Sequence, residues 1–124
     1  MTHRVLIVED DPVIARAHVR VVRRAIVGVE IVTCSTAEAA KVELAFRRFE
    51  LVISDYNLAG EGTGTGADVL ACVRSLADPP RFLFVSANEA CAQPGVVWLE
   101  KPCSVQTLLT AIAMALHVRV GDAA

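Results

Sequence analysis

The chain has 124 residues, 54% of them hydrophobic, and its 12 Lys+Arg against 14 Asp+Glu leave a formal net charge of -2. That length suits one domain, residues 1–124, with a core large enough to need neither disulfides nor a structural metal. The near balance of charge excludes a general pull toward nucleic acid or anionic lipid, and no apolar stretch approaches the length of a bilayer span.

Met1-Thr2-His3-Arg4 holds no signal-peptide segment, so the expected location is cytoplasmic, with no membrane insertion and no direct nucleic-acid partner. Val5-Leu6-Ile7-Val8 is a short apolar run of the kind buried on both faces of a parallel sheet, and it leads into Glu9-Asp10-Asp11. Asp11-Pro12 reads as a helix start, Asp as N-cap and Pro at the first helical position. Ile14, Ala17 and Val21 follow at helical spacing, and Arg23-Arg24 suit the C-terminal end of the helix dipole. A second strand is expected over about Val29 to Thr33. Ser35-Thr36-Ala37-Glu38 has the form of a capping box and opens a helix to about Arg48.

A third strand, about Glu50 to Ser54, delivers Asp55, and a helix from about Gly66 to Leu76 stops before Pro79-Pro80. The fourth strand is expected over about Phe82 to Val85, ending at Ser86, and the fifth over Val96 to Leu99, ahead of Glu100-Lys101-Pro102. Ser104 caps a last helix with an apolar stripe of Leu108, Ile112 and Leu116, and Gly121 ends it. Alternating β and α elements imply an α/β, doubly wound, flavodoxin-like sheet of five parallel strands in the order 2-1-3-4-5. Ligands in such sheets bind beyond the carboxyl ends of the strands, so Glu9, Asp10, Asp55, Ser86 and Lys101 should meet at one edge.

Cys34, Cys72, Cys91 and Cys103 form no CxxC pair, and His3, His18 and His117 do not complete a zinc pattern. The thiols read as small buried or half-buried side chains without an assigned function, the histidines as surface residues. Gly60 to Gly66 superficially resembles a phosphate loop but lacks the Gly-Lys-Ser/Thr ending and follows the wrong strand, so a flexible connection is expected there. Asp11 reads as a helix cap rather than a ligand.

Carboxylates converging at one point repel one another unless a cation neutralises them, and hard oxygen ligands with room for water suit Mg²⁺. A carboxylate so placed can attack a phosphoryl group, while Mg²⁺, Lys101 and the Ser86 hydroxyl hold the transferring oxygens.

VLIVEDDP at 5–12, LVISDYNL at 51–58, FVSA at 84–87 and LEKP at 99–102, in this order, resemble a response-regulator receiver domain, the phosphoacceptor half of two-component signalling. By that resemblance Glu9 and Asp10 are the metal-binding acidic pair and Asp55 is the phosphoacceptor and a metal ligand. Asn57 adds its backbone carbonyl to the metal ligands, Ser86 is the phosphoryl-contacting hydroxyl, and Lys101 pairs with the phosphoryl group ahead of a cis bond to Pro102. Trp98 falls at the switch aromatic that works with Ser86, a place where a plain core aromatic is an equal reading. Asn57 and Asn88 fall where the family tunes phosphoryl lifetime. The implied cofactor is Mg²⁺, and the implied partner is a histidine kinase or histidine phosphotransfer protein, with the downstream target open.

Only 14 residues separate Ser86 from Lys101, short of the family pattern by roughly two helical turns. Pro94-Gly95 interrupts what remains, so the fourth helix is expected to be shortened or absent. Two other readings are weighed: a phosphorylation-independent pseudo-receiver that acts as a binding module, and a haloacid-dehalogenase-like phosphatase. The latter needs an acid two residues after its nucleophile, where this chain has Asn57. A receiver is a signalling module that catalyses only its own phosphoryl transfer and loss, and this one is either a stand-alone regulator or part of a longer or hybrid protein.

Overall fold

The computed structural model describes residues 3–58, 64–88 and 91–117. In chain order they form β1 (Arg4–Val8), α1 (Pro12–Ala25), β2 (Glu30–Cys34), α2 (Ala37–Phe46), β3 (Leu51–Ser54), α3 (Gly66–Arg74), β4 (Arg81–Ser86), β5 (Val97–Glu100) and α4 (Val105–Ala115). The five strands are parallel in the order 2-1-3-4-5. No α-helix lies between β4 and β5 among the described residues, as the short Ser86–Lys101 spacing predicts. None of the described helices is long and apolar enough to cross a membrane.

Because side chains alternate across a strand, the apolar runs feed two cores. Val5, Ile7, Leu51, Ile53, Leu83 and Val85 pack with Val21, Val22, Leu108 and Ile112, under α1 and α4. Leu6, Val8, Val52, Phe82 and Phe84 pack with Leu44, Val69, Leu70 and Val73, under α2 and α3. Val5 to Val8 are completely buried, which is why that run carries no polar alternation. The stripe on α4 holds: Leu108 and Ile112 are buried, and Leu116, the C-cap, packs half-buried against the same core, while Gly121 lies outside the described residues.

Several boundaries shift for local reasons. Strand β2 runs one residue further than expected, to Cys34, so the chain turns later and Thr36, not Ser35, caps α2 by accepting from the Ala39 N–H at 3.1 Å. Helix α2 stops at Phe46 because Arg47 turns extended, which lets Phe49 drop into the core at 5% exposure. The capping box occurs instead at α3, where Thr65 accepts from the helix and its own N–H donates to Asp68 Oδ2 at 2.7 Å. His18 is not a surface residue: it sits on the inner side of α1 at 7% exposure. A histidine beside Val21 and Val22 follows the helical spacing of the buried face, a signal the residue type conceals.

Candidate functional site

Parallel pairing sets the depth at which each chemical residue leaves the sheet. Val8 pairs with Cys34 on one side and Ser54 on the other, so Glu9 and Asp55 emerge at the same level. The ladder continues one step past the strands, where Asp55 N–H donates to Val8 O at 3.0 Å and Glu9 N–H to Cys34 O at 3.0 Å. Ser86 pairs with Glu100, and the Lys101 N–H donates to Ser86 O at 3.2 Å, bringing Lys101 up to the same edge. The Lys101–Pro102 peptide is cis.

The Lys101 ammonium joins the two halves of the site. Nζ donates to Glu9 Oε1 at 2.7 Å and to Asp55 Oδ2 at 2.8 Å. The remaining oxygens are also engaged, with Asp11 N–H donating to Glu9 Oε2 at 3.3 Å and Asn57 N–H to Asp55 Oδ1 at 3.2 Å. Burial works against the charge on Lys101, yet its hydrogen bonds to Asp55 and Glu9 outweigh that and push its pKa up. Burial raises the Glu9 pKa, with the Lys101 hydrogen bond pulling the other way. The two shifts fit a pair that is desolvated and mutually supported.

One carboxylate oxygen each from Glu9, Asp10 and Asp55 lies within 4.8 Å of the others. Three hard oxygen donors converge there against a single ammonium, so the donor set fits a divalent cation of Mg²⁺ type. Asp11 is occupied as the α1 cap, its Oδ1 accepting from Val13 N–H at 2.9 Å and Ile14 N–H at 3.4 Å.

The far wall comes from the loops after β3 and β4. Asn88 Nδ2 donates to Asn57 Oδ1 at 3.4 Å, tying those loops together beside Asp55. Ser86 is fully buried, and its Oγ accepts from the Asn88 N–H at 3.3 Å. Trp98 packs against the core under α2 and α3, and its indole N–H donates to Ser86 O at 2.9 Å. The aromatic is therefore both packed and bonded to the residue with which it was paired by resemblance.

Gly66 closes the glycine-rich connection and opens α3, and the packing at this point excludes a side chain. A Cβ there would collide with the Asp55 carbonyl oxygen and stand 2.7 Å from Tyr56 Cα and 2.8 Å from Phe84 Cε1. Its N–H donates to Tyr56 O at 2.7 Å, so α3 begins directly against the Asp55 peptide. Residues 59–63 of that connection lie outside the described residues.

A family model described as the response regulator receiver domain matches residues 5–113. The alginate biosynthesis transcriptional regulatory protein AlgB of Pseudomonas aeruginosa is 34% identical over 123 residues, covering 94% of this chain and 26% of that protein. The chain thus spans about a quarter of the length of this curated relative. Among solved structures, the signal receiver domain of a putative Luxo repressor protein from Vibrio parahaemolyticus has a TM-score of 0.79 at 24% identity, over 94% of this chain and 92% of that one. The chemotaxis response regulator CheY4 of Vibrio cholerae has a TM-score of 0.77 at 22% identity, over 93% and 99%. At those identities the two structures speak for the fold.

Proposed function

Since this chain belongs to the response regulator receiver domain family, we propose that it accepts a phosphoryl group onto Asp55 from a phosphohistidine on a histidine kinase or histidine phosphotransfer protein. The observation that carries this reading is the Lys101 ammonium bonded at once to Glu9 and Asp55, beside the Glu9–Asp10–Asp55 cluster. An Asp55 carboxylate oxygen attacks phosphorus as the P–N bond to the donor imidazole breaks. The bonding pair returns to the ring, which leaves neutral when its other nitrogen carries a proton. Lys101 exchanges an Asp55 contact for a phosphoryl oxygen, and the Ser86 hydroxyl donates to another. Mg²⁺, held by Glu9, Asp10, Asp55 and the Asn57 carbonyl, supplies positive charge to the phosphoryl oxygens when bound. Asn57 and Asn88, bridged at the mouth of the site, set how readily water reaches the acyl phosphate.

In this reading residues 1–124 act as one receiver unit in the cytoplasm, alone or within a longer or hybrid protein. Trp98 and Ser86 form its switch. A downstream protein target, rather than nucleic acid or membrane, reads the outcome.

Intact-mass spectrometry after incubation with acetyl phosphate and Mg²⁺ tests the acceptor. One phosphoryl group should add to the wild-type chain and none to Asp55→Asn; equal labelling of the two would refute the assignment. No label on the wild type would favour the phosphorylation-independent binding module, a reading supported by the lack of an α-helix between β4 and β5 among the described residues. Asn57, where a haloacid-dehalogenase-like phosphatase needs an acid, weighs against turnover of phosphate esters.

A further inference from the structure

Helices α1 and α4 both start at the sheet edge that carries Asp55. Between their first turns lies a cavity of about 580 Å³, walled by Ala17 and His18 from α1, Val85 from β4, and Val105 and Leu108 from α4. The small side chains of Ala17 and Ala87 leave it open, and it closes deeper down, where Val21 and Leu108 pack into one core. Small-molecule sites are commonly of this size, mostly apolar with a few placed polar groups. At the rim Val13 is 64% and Val105 50% exposed, apolar surface that the fold leaves uncovered.

The strong hydrogen-bonding groups of the wall are spent, with one exception. Lys101 donates to Glu9 and Asp55, and Ser104 Oγ accepts from the Thr107 N–H at 3.1 Å as the α4 cap. Cys103 offers only a weak donor. His18 is more than nine-tenths buried, yet its Nδ1 has no hydrogen-bond partner among the described residues. A buried polar atom left unpaired costs stability, and a bound molecule that supplies the missing hydrogen bond recovers it. Burial, then the charge of Lys101, lowers the imidazole pKa to about 4, so the ring is neutral near pH 7. A neutral imidazole nitrogen accepts or donates according to its tautomer, and a hydroxyl can answer either role. An anion would enter an apolar space whose one ammonium is already bonded to two carboxylates. We propose that this cavity binds a neutral, largely apolar small molecule carrying one alcoholic or phenolic hydroxyl, which pairs with His18. The cavity lies beside Lys101 and outside the Glu9–Asp10–Asp55 cluster, so its occupancy does not require Asp55 to be a phosphoacceptor.

Naphthol, naphthalene and naphthoate share one apolar body and differ in the polar group. Each is titrated into the isotope-labelled 124-residue chain and followed by backbone amide shifts. Naphthol should bind saturably, with shifts centred on residues 13–18, 85–87 and 105–108, and naphthoate more weakly. His18→Leu should weaken naphthol about fivefold, the worth of one net hydrogen bond, and leave naphthalene no weaker. Ala17→Phe, at an exposed position in the wall, should abolish both. No saturable shift up to the solubility of naphthol, shifts centred elsewhere, or tighter binding of naphthoate would overturn the inference. So would equal weakening of naphthol and naphthalene in His18→Leu, since the cavity would then be a plain apolar groove for a protein side chain. If His18→Leu does not fold by circular dichroism, Ala17→Phe decides alone, and naphthol binding that survives it refutes the site.

Discussion

His18 shows how a single residue changes meaning between sequence and structure. It faces inward from α1 beside Lys101, and its Nδ1 is buried without a hydrogen-bond partner. Burial first, then the positive charge of Lys101, lowers its pKa to about 4, with the Asp55 carboxylate opposing. An unfolded histidine titrates near 6.5, so between the two values the unfolded chain binds more protons than the folded one. Stability should therefore fall as pH drops from about 6.5 toward 4, by about 3 kcal/mol over the window. His18→Leu should flatten that part of the profile. Urea melts at several pH values check this, and parallel profiles for the two proteins would refute it. The acidic and basic site residues were recognisable in the sequence because each follows an apolar run; His18 was not, because a polar residue type conceals its place on the buried face of α1.

At the scale of elements, the segment between β4 and β5 does the most that is unusual. With no α-helix there among the described residues, Cys91, Val96 and Trp98 pack into the core under α2 and α3. The loop is held from the α3 side, with Arg74 donating to Gln93 Oε1 and to Pro94 O at 3.3 Å each. Val96 N–H closes a turn onto Gln93 O at 3.3 Å. Arg74→Ala should speed amide exchange of Val96 by roughly threefold, as expected for losing exposed hydrogen bonds, while Leu83 inside β4 keeps its protection. Exchange at Val96 that ignores the substitution would show that the loop is held by its apolar residues alone. The shortness of this segment was legible as a count of residues, but the inward turn of Cys91 was not, since nothing in Ala92-Gln93-Pro94-Gly95 signals a buried neighbour.

At the scale of the whole molecule, the sheet order concentrates negative charge at one edge. Glu9, Asp10 and Asp55 share that edge with one lysine, so in the absence of a cation their mutual repulsion opposes folding. Without metal, Asp10→Asn should melt at a higher temperature than wild type. Magnesium binding only the folded state should reverse or narrow that order, contributing about 2.7 kcal/mol to the wild type at a hundredfold excess over its Kd. Thermal melts with Mg²⁺ and with chelator measure both effects, and an equal Mg²⁺ gain in the two proteins would remove Asp10 from the ligand set.

By itself the sequence determined the five strands, the four helices among the described residues and the edge at which the chemical residues gather. Those features follow from information local to the chain: continuous apolar runs for strands buried on both faces, Asp11-Pro12 and Ser104 for helix starts, and residue type at each strand end. Only the tertiary structure decided that Lys101 bridges Glu9 and Asp55, that Trp98 bonds Ser86 O, that Gly66 must lack a side chain, and that His18 and Cys91 lie inside. Each of those depends on an atom supplied by an element distant in sequence, and a spacing rule carries no record of the neighbour that packing brings.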